Sequence, residues 1–271
     1  MSTYLRAMET AVSFIEDHLQ DEIFVADIAA AASYSLYHFC RVFNQIVHHP
    51  PYDYLMRRRL SAAALELQDG NQRIIDIAFA YQFGSPESFS RAFRRLFDQL
   101  PTQWRKQGVR DPRVLMNRLT SNHLAQRNHD AFQRPTLVKK EAFTVAGLMM
   151  IVQDDAETAV SGSSIQSVSK LQQQFKQPPS HTIYHYPDYW AEQGKPVFVG
   201  SLAENTELPL VSQTIPAHEY ACFPLPELDG ERPLLTDYIY QTWLAQSGYK
   251  LAALLEVEQD QQLLVPIEVA G

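Results

Sequence analysis

The sequence predicts an all-α domain made of two helix-turn-helix units, followed by an α+β domain built from two β-α-β-β repeats. Three observations predict it: a segment of the first hundred residues occurs twice, a polar stretch without periodicity follows, and beyond it the order strand, helix, strand, strand is read twice. At 271 residues the chain has room for two domains with separate cores. The expected boundaries are 1–113 for the helical domain, 114–135 for a linker and 136–271 for the second domain.

The duplication carries most of the argument. Asp27-Ile28-Ala29 recurs as Asp76-Ile77-Ala78, and Ser33-Tyr34 corresponds to Gln82-Phe83 at the same offset of 49. One extra residue, Gly84, raises the offset to 50. From there Ser35 matches Ser85, Phe39 matches Phe89, Arg41 matches Arg91, Phe43 matches Phe93, Ile46 matches Leu96 and Val47 matches Phe97. Each copy reads as helix, tight turn, helix. In the first, Val25, Ile28, Ala29 and Ala32 form an apolar stripe and Ser35 caps the next helix. In the second, Ile74, Ile77 and Ala78 form the stripe, Tyr81 to Gly84 make the break, Ser85 is the N-cap and Pro86 takes the first helical position. Pro51 to Gln68 reads as a helix joining the copies, with Tyr54, Leu55, Leu60, Ala64 and Leu67 as its apolar positions. A rigid joint of this kind could hold two equivalent helices about one DNA turn apart, roughly 34 Å.

The second helix of each copy has two chemically distinct faces. At 100° per residue Phe39, Val42, Phe43 and Ile46 share one side, and Tyr37, Arg41, Asn44 and Gln45 lie opposite. In the second copy Phe89, Ala92, Phe93 and Leu96 are the apolar set, and Glu87, Arg91, Arg94 and Arg95 face out. Guanidinium and amide groups can bond base edges in the major groove, Arg to guanine and Asn or Gln to adenine, each in a bidentate way. One such helix usually just meets solvent; the same arginine in both copies points to double-stranded DNA as partner.

Charge separates the halves. Residues 1–113 carry 13 basic and 13 acidic residues, whereas 114–271 carry 10 against 18 and supply the whole net charge of −8. Within the neutral half the basic residues cluster at Arg57-Arg58-Arg59, Arg91 with Arg94-Arg95, and Arg105-Lys106, which suggests a basic face.

This duplicated segment resembles the AraC/XylS family of transcription activators over about residues 4–107. Its more specific part is Ala78, Phe83-Gly84-Ser85, Ser88-Phe89, Arg91, Phe93, Phe97, Pro101 and Trp104-Arg105. Ser33, Gln82 and Asp98 stand where the family often has glycine. The resemblance implies DNA contacts at Tyr37, Cys40 and Arg41 in the first copy and at Pro86, Glu87, Ser88 and Arg91 in the second. It also implies RNA polymerase as a partner of an activator.

In the second half, Thr136–Val152 reads as a strand, Ser164–Lys176 as an amphipathic helix, and Thr182–Tyr186 and Val197–Leu202 as strands. Ser212–Leu225, Pro233–Gln246, Ala252–Glu258 and Leu263–Val269 repeat that order. The seam between two such halves is a usual place for a ligand cleft. This half resembles a gyrase-inhibitor-like effector-binding domain over about residues 136–269. The residues that carry the resemblance are Ile215-Pro216-Ala217, Tyr220 to Phe223, Trp243-Leu244, Ser247-Gly248-Tyr249 and Leu255-Glu256. It implies that Glu256 faces a pocket for a small-molecule effector, with a cationic or amphiphilic ligand as the expected class. Aromatic walls are expected from Tyr186, Trp190, Phe198, Tyr220 and Trp243, which suit a lipophilic cation. Glu258 stands where an aromatic is common. Strict alternation puts Leu254, Glu256 and Glu258 on one face.

Other chemistry is weakly signalled. His181 and His185 have a metal spacing only if helical, and their neighbours favour a strand, so no metal site or cofactor is expected. No glycine-rich phosphate loop or nucleophile triad can be assigned, and no enzyme is expected. Two alternatives stay open for the second domain: a hydrolase with Glu256 as base, or a module that recruits a protein. Two distant cysteines and no membrane-length apolar run suit a bacterial cytoplasm, and charged residues early in the chain leave no signal-peptide stretch.

Overall fold

The computed structural model describes residues 3–107, 112–127, 134–152, 168–173, 175, 178–186, 195–202, 211–226 and 232–270. The chain divides into two units, the first running to Asp130. The first unit is helical: α1 (Thr3–Asp17), α2 (Val25–Ala31), α3 (Leu36–Val47), α4 (Pro51–Asp69), α5 (Ile74–Ala80), α6 (Pro86–Phe97), α7 (Pro101–Gln107) and α8 (Ser121–Arg127).

The two copies form matching turns. Ser33 and Gln82, at equivalent positions, adopt left-handed φ values of 61° and 64°. Each turn closes the same way, with Tyr34 N–H donating to Ala29 O and Phe83 N–H donating to Ala78 O. His48 and Asp98 end α3 and α6 in the left-handed conformation at φ 60° and 53°. A side chain in that region is strained because Cβ crowds the following carbonyl, so four residues accept the strain for which glycine is the relaxed choice. Gln82 has a compensating role: its amide donates to Gln20 O at 2.5 Å, tying the second turn to the end of the first unit's opening segment.

The caps differ between copies. Ser85 and Ser88 close a capping box, each hydroxyl accepting the other's backbone N–H at 3.2 Å, with Pro86 in the first turn. Ser35 sits at the N-cap of α3 without a side-chain cap bond.

Two cores result, and α4 belongs to both. Tyr54 and Leu55 join Ile28, Phe39, Phe43 and Ile46 in the first. Leu60, Ala63, Ala64 and Leu67 join Ile77, Phe89, Phe93 and Trp104 in the second. Trp104 is pinned by its indole N–H, which donates to Ala64 O at 2.9 Å.

The expected linker is corrected in its first part. Met116, Leu119 and Leu124 are buried in the first core. Met116 N–H donates to Ser61 Oγ at 2.9 Å, and Ser121 Oγ donates to Glu9. Three apolar residues spread over nine positions lack a recognisable period, yet they cover a gap between α1, α3 and α4.

Among the described residues the second unit is built on one nine-stranded antiparallel sheet. Its strands are β1 (Thr136–Lys140), β2 (Phe143–Val152), β3 (His181–His185), β4 (Lys195–Ser201), β5 (Val211–Ile215), β6 (His218–Pro224), β7 (Tyr249–Leu251), β8 (Leu255–Gln259) and β9 (Gln262–Val269). Their order is β1-β6-β9-β8-β3-β4-β2-β5, with β7 added beside β9. The two long strands expected at 136–152 and 212–225 are each two strands, broken at 141–142 and 216–217. Proline at 216 explains the second break, since it cannot donate to a ladder. Gly147 and Gly200 face each other across β2 and β4, where a Cβ would lie 2.0 Å from Val199 O or 2.4 Å from Ala146 O.

One face of the sheet carries the helical segments. A short helix at 168–172 packs Val168 and Leu171 on Val197 and Val199; the rest of the helix expected at 164–176 lies largely outside the described residues. Opposite it in sequence order, α9 (Arg232–Asp237) continues through a π-helical stretch, Tyr238–Trp243, into α10 (Leu244–Ser247). Leu235, Ile239 and Tyr240 pack on Phe223, Leu263 and Val265. The other face holds Val145, Ile183, Phe198, Tyr220 and Leu264.

Candidate DNA interface and effector site

On α3, Tyr37, Arg41, Asn44 and Gln45 are exposed, Tyr37 by 83%, and Cys40 is half-buried against the core. On α6, Glu87, Arg91, Arg94 and Arg95 are exposed. Backbone and side-chain hydrogen bonds and Arg91 together hold the Glu87 carboxyl below its usual range. Among the described residues no carboxylate lies within 4 Å of Arg41, Arg91, Arg94 or Arg95. Ser88 is half-buried and its hydroxyl is engaged in the α6 cap, donating to Ser85 O at 2.7 Å. Pro86 is also half-buried.

The basic run on α4 is used internally, which corrects the expected basic face. Arg58 pairs with Glu16 through two bonds of 2.7 Å and donates to Met116 O. Arg59 donates to Leu19 O and Asp21 O at 2.8 and 2.6 Å. Arg57 pairs with Asp53 at 2.7 Å. Arg105 donates to Gln72 O at 2.6 Å. Arg41 on α3 and Arg91, Arg94 and Arg95 on α6 remain exposed, as does Lys106 at the end of α7.

In the second unit, β3 and β8 are the central strands, and Tyr184 lies opposite Glu256 in their register. Both side chains face the helices. Glu256 is 1% exposed. Tyr186 donates to its Oε2 at 2.9 Å and Tyr240 to its Oε1 at 2.6 Å. Tyr240 comes from the π-helical stretch, a local widening often found at functional sites. Two cations complete the cluster. The buried Lys195 Nζ lies 5.6 and 5.7 Å from the Tyr184 and Tyr186 ring centres. Arg232 pairs with Glu258 and lies 5.7 Å from the Tyr184 ring centre. Burial, with Glu258 adding, pushes the Tyr184 phenol far up.

Of the expected pocket residues, the fold brings together Glu256 and Tyr186. Phe198 and Tyr220 are buried on the opposite face, Tyr220 donating to Pro216 O at 3.0 Å. Trp243 packs between Phe223 and Tyr249. Trp190 lies outside the described residues. Leu254 precedes β8, so the expected alternation begins one residue later, and Leu254 turns to the opposite face. There it lines an open depression of about 520 Å³ with Met149, His185, Phe198, Val211 and Gln213. Lys195, Arg232 and Tyr240 were not legible as site residues. Tyr184 was legible only as one of many aromatics at strand spacing, and period-two alternation from Glu256 across an assumed β3–β8 pairing would have singled it out.

Two duplicated helix-turn-helix units joined by one shared helix, followed by an α+β unit with a buried acidic cluster, define a helix-turn-helix transcriptional regulator with a second, separate domain. Comparison with known proteins agrees at both ends. Residues 28–107 match a helix-turn-helix domain and residues 136–267 an integron-associated effector binding protein. The HTH-type transcriptional activator AarP of Providencia stuartii is 40% identical over 92 residues, 34% of this chain and 68% of that protein. The uncharacterized HTH-type transcriptional regulator YbfP of Bacillus subtilis is 38% identical over 102 residues, 38% of this chain and 35% of that protein. The transcriptional regulator Rob of Salmonella typhimurium is 35% identical over 105 residues, 36% of each. The match thus spans about a third of the length of YbfP and of Rob. The chain belongs to the AraC family of helix-turn-helix transcriptional regulators. No helix among the described residues is long and apolar enough to cross a membrane.

Proposed function

We propose that this chain binds duplex DNA by placing α3 and α6 in successive major grooves, and that a small molecule bound at the Glu256 cluster modulates its action on transcription. The observation that carries the first part is the pair of equivalent helices with Arg41 and Arg91 outward at the same position. The shared 19-residue α4 is about 28 Å long at 1.5 Å per residue, comparable with one turn of DNA. A DNA-bound regulator of this kind then meets RNA polymerase.

Glu256 carries the second part. A buried carboxylate at the seam of the sheet, with phenol donors on both oxygens and aromatic rings beside it, suits recognition of a lipophilic cation. Because both oxygens already accept O–H groups, the arrangement favours charge recognition over proton abstraction from water. The sheet order, which maps onto itself when β1, β2, β3 and β4 are exchanged with β5, β6, β8 and β9, supports reading the domain as two related halves with this cluster between them.

Selection of DNA sites with the full chain tests the first part. A bound complex that weakens steeply with salt is expected; no complex at any salt refutes it. A thermal shift with tetraphenylphosphonium tests the second. Glu256→Gln should remove most of the shift, and an equal shift in both proteins refutes the role of Glu256.

A further inference from the structure

We propose that Arg232 is a built-in competitor for the effector: it occupies the place a lipophilic cation would take, against Glu258 and beside the Tyr184 ring, and must yield it for such a cation to bind. This rests on reading the Glu256 cluster as the effector site.

Among the described residues the cluster balances its own charge. Two carboxylates, Glu256 and Glu258, share the helix-bearing face of β8 with two cations, Lys195 and Arg232. Adding a cationic ligand to this neutral set leaves an excess positive charge in a site mostly shielded from water, which is unfavourable unless one internal cation leaves. Lys195 is 1% exposed at the start of β4, a central position that gives it little freedom to depart. Arg232 is the more releasable. Its side chain is 10% exposed and that of Glu258 21%. Its Nε is buried with no hydrogen-bond partner among the described residues. Burial acts against its charge, and Glu258, Tyr184 and Glu256 together more than restore it. Its guanidinium therefore feels both carboxylates that an entering cation would feel, beside the same aromatic ring.

Calorimetric titration of the full chain with tetraphenylphosphonium tests this. Arg232→Met should bind the probe at least tenfold more tightly than the parent chain, because Glu258 is left for the ligand to neutralise. Arg232→Gln keeps a hydrogen-bond donor on Glu258 and should move the same way, and it serves if the methionine variant fails to fold. Arg232→Lys should stay near the parent affinity. The gain should vanish in Arg232→Met/Glu258→Gln, where no unmatched carboxylate remains. A gain that survives in that double variant reflects space and not charge, and overturns the proposal. Unchanged affinity in Arg232→Met and Arg232→Gln overturns it while leaving the effector site standing, provided Glu256→Gln still weakens binding. If neither the parent chain nor Arg232→Met binds the probe, the proposal and the site reading fall together.

Discussion

Replacing Arg58 by methionine separates a structural arginine from a DNA-contacting one. The guanidinium makes two bonds of 2.7 Å to Glu16 and a third to the Met116 carbonyl. The side chains are 12% and 8% exposed, so this is a largely buried pair. Burial works against the charge on Arg58, and Glu16 more than compensates, raising its pKa. Removing one partner of such a pair strands the other charge and costs about 3–5 kcal/mol. Tyr54 O–H still reaches Glu16 at 3.4 Å, which softens the loss and favours the lower end, about 3 kcal/mol. For a helical unit of this size that corresponds to a melting temperature lower by about 10 °C. Urea unfolding should give the same figure, and Glu16→Met/Arg58→Met should regain much of it, since an apolar pair of similar volume leaves no orphaned charge. DNA affinity measured well below the transition should keep its salt dependence. A stable Arg58→Met protein whose salt slope falls by about one would show that Arg58 meets phosphate and that the internal assignment is wrong.

The reading helices make a contrasting prediction: Arg41→Ala and Arg91→Ala should each lose about 1–3 kcal/mol of specific DNA binding and relax preference at one position in a site-selection assay, with little change in melting temperature. Ser33→Gly relieves a left-handed φ of 61° and should stabilise the first unit by about 1 kcal/mol, read by urea unfolding. Asp53 gives a pH signature. Burial tends to raise its pKa, but hydrogen bonds from His49 and Arg57 outweigh it and hold the value at about 2, below the ordinary 3.8. A depressed carboxyl stabilises the fold above its ordinary pKa, and that contribution disappears as pH falls from about 4 to 2. Because the side chain is 42% exposed, screening limits it to about 1 kcal/mol. Asp53→Asn should flatten stability over that interval; an unchanged acid limb would show that the pairing contributes nothing.

The first unit was legible because its signals are local and occur twice. Apolar spacing of three and four placed Phe39, Phe43, Phe89 and Phe93 inward, and the same spacing left Arg41 and Arg91 outward. Left-handed turns at Ser33 and Gln82 carry no glycine, so their conformation is set by the packing on either side. The run at Arg57 to Arg59 shows where local reading stops. In sequence it resembles a phosphate-binding patch, and its use depends on Glu16, Leu19 and Asp21, some forty residues earlier, meeting α4 in space.

In the second unit, alternation identified Glu256 as a residue with a definite face but left open whether that face was wet or buried. Strand order decides it: β8 lies at the centre of the sheet, between β9 and β3, beneath a helical segment that contributes Tyr240. The same order sent Phe198 and Tyr220 to the other side, since neighbouring strands fix which parity points where. Composition and periodicity by themselves determined two domains, the repeated reader and the outward arginines, because each depends on residues close in sequence. The acidic cluster, its two internal cations and the interior role of Arg58 were decided only by tertiary structure, because charge compensation at a buried site depends on which distant side chains share the same few ångströms.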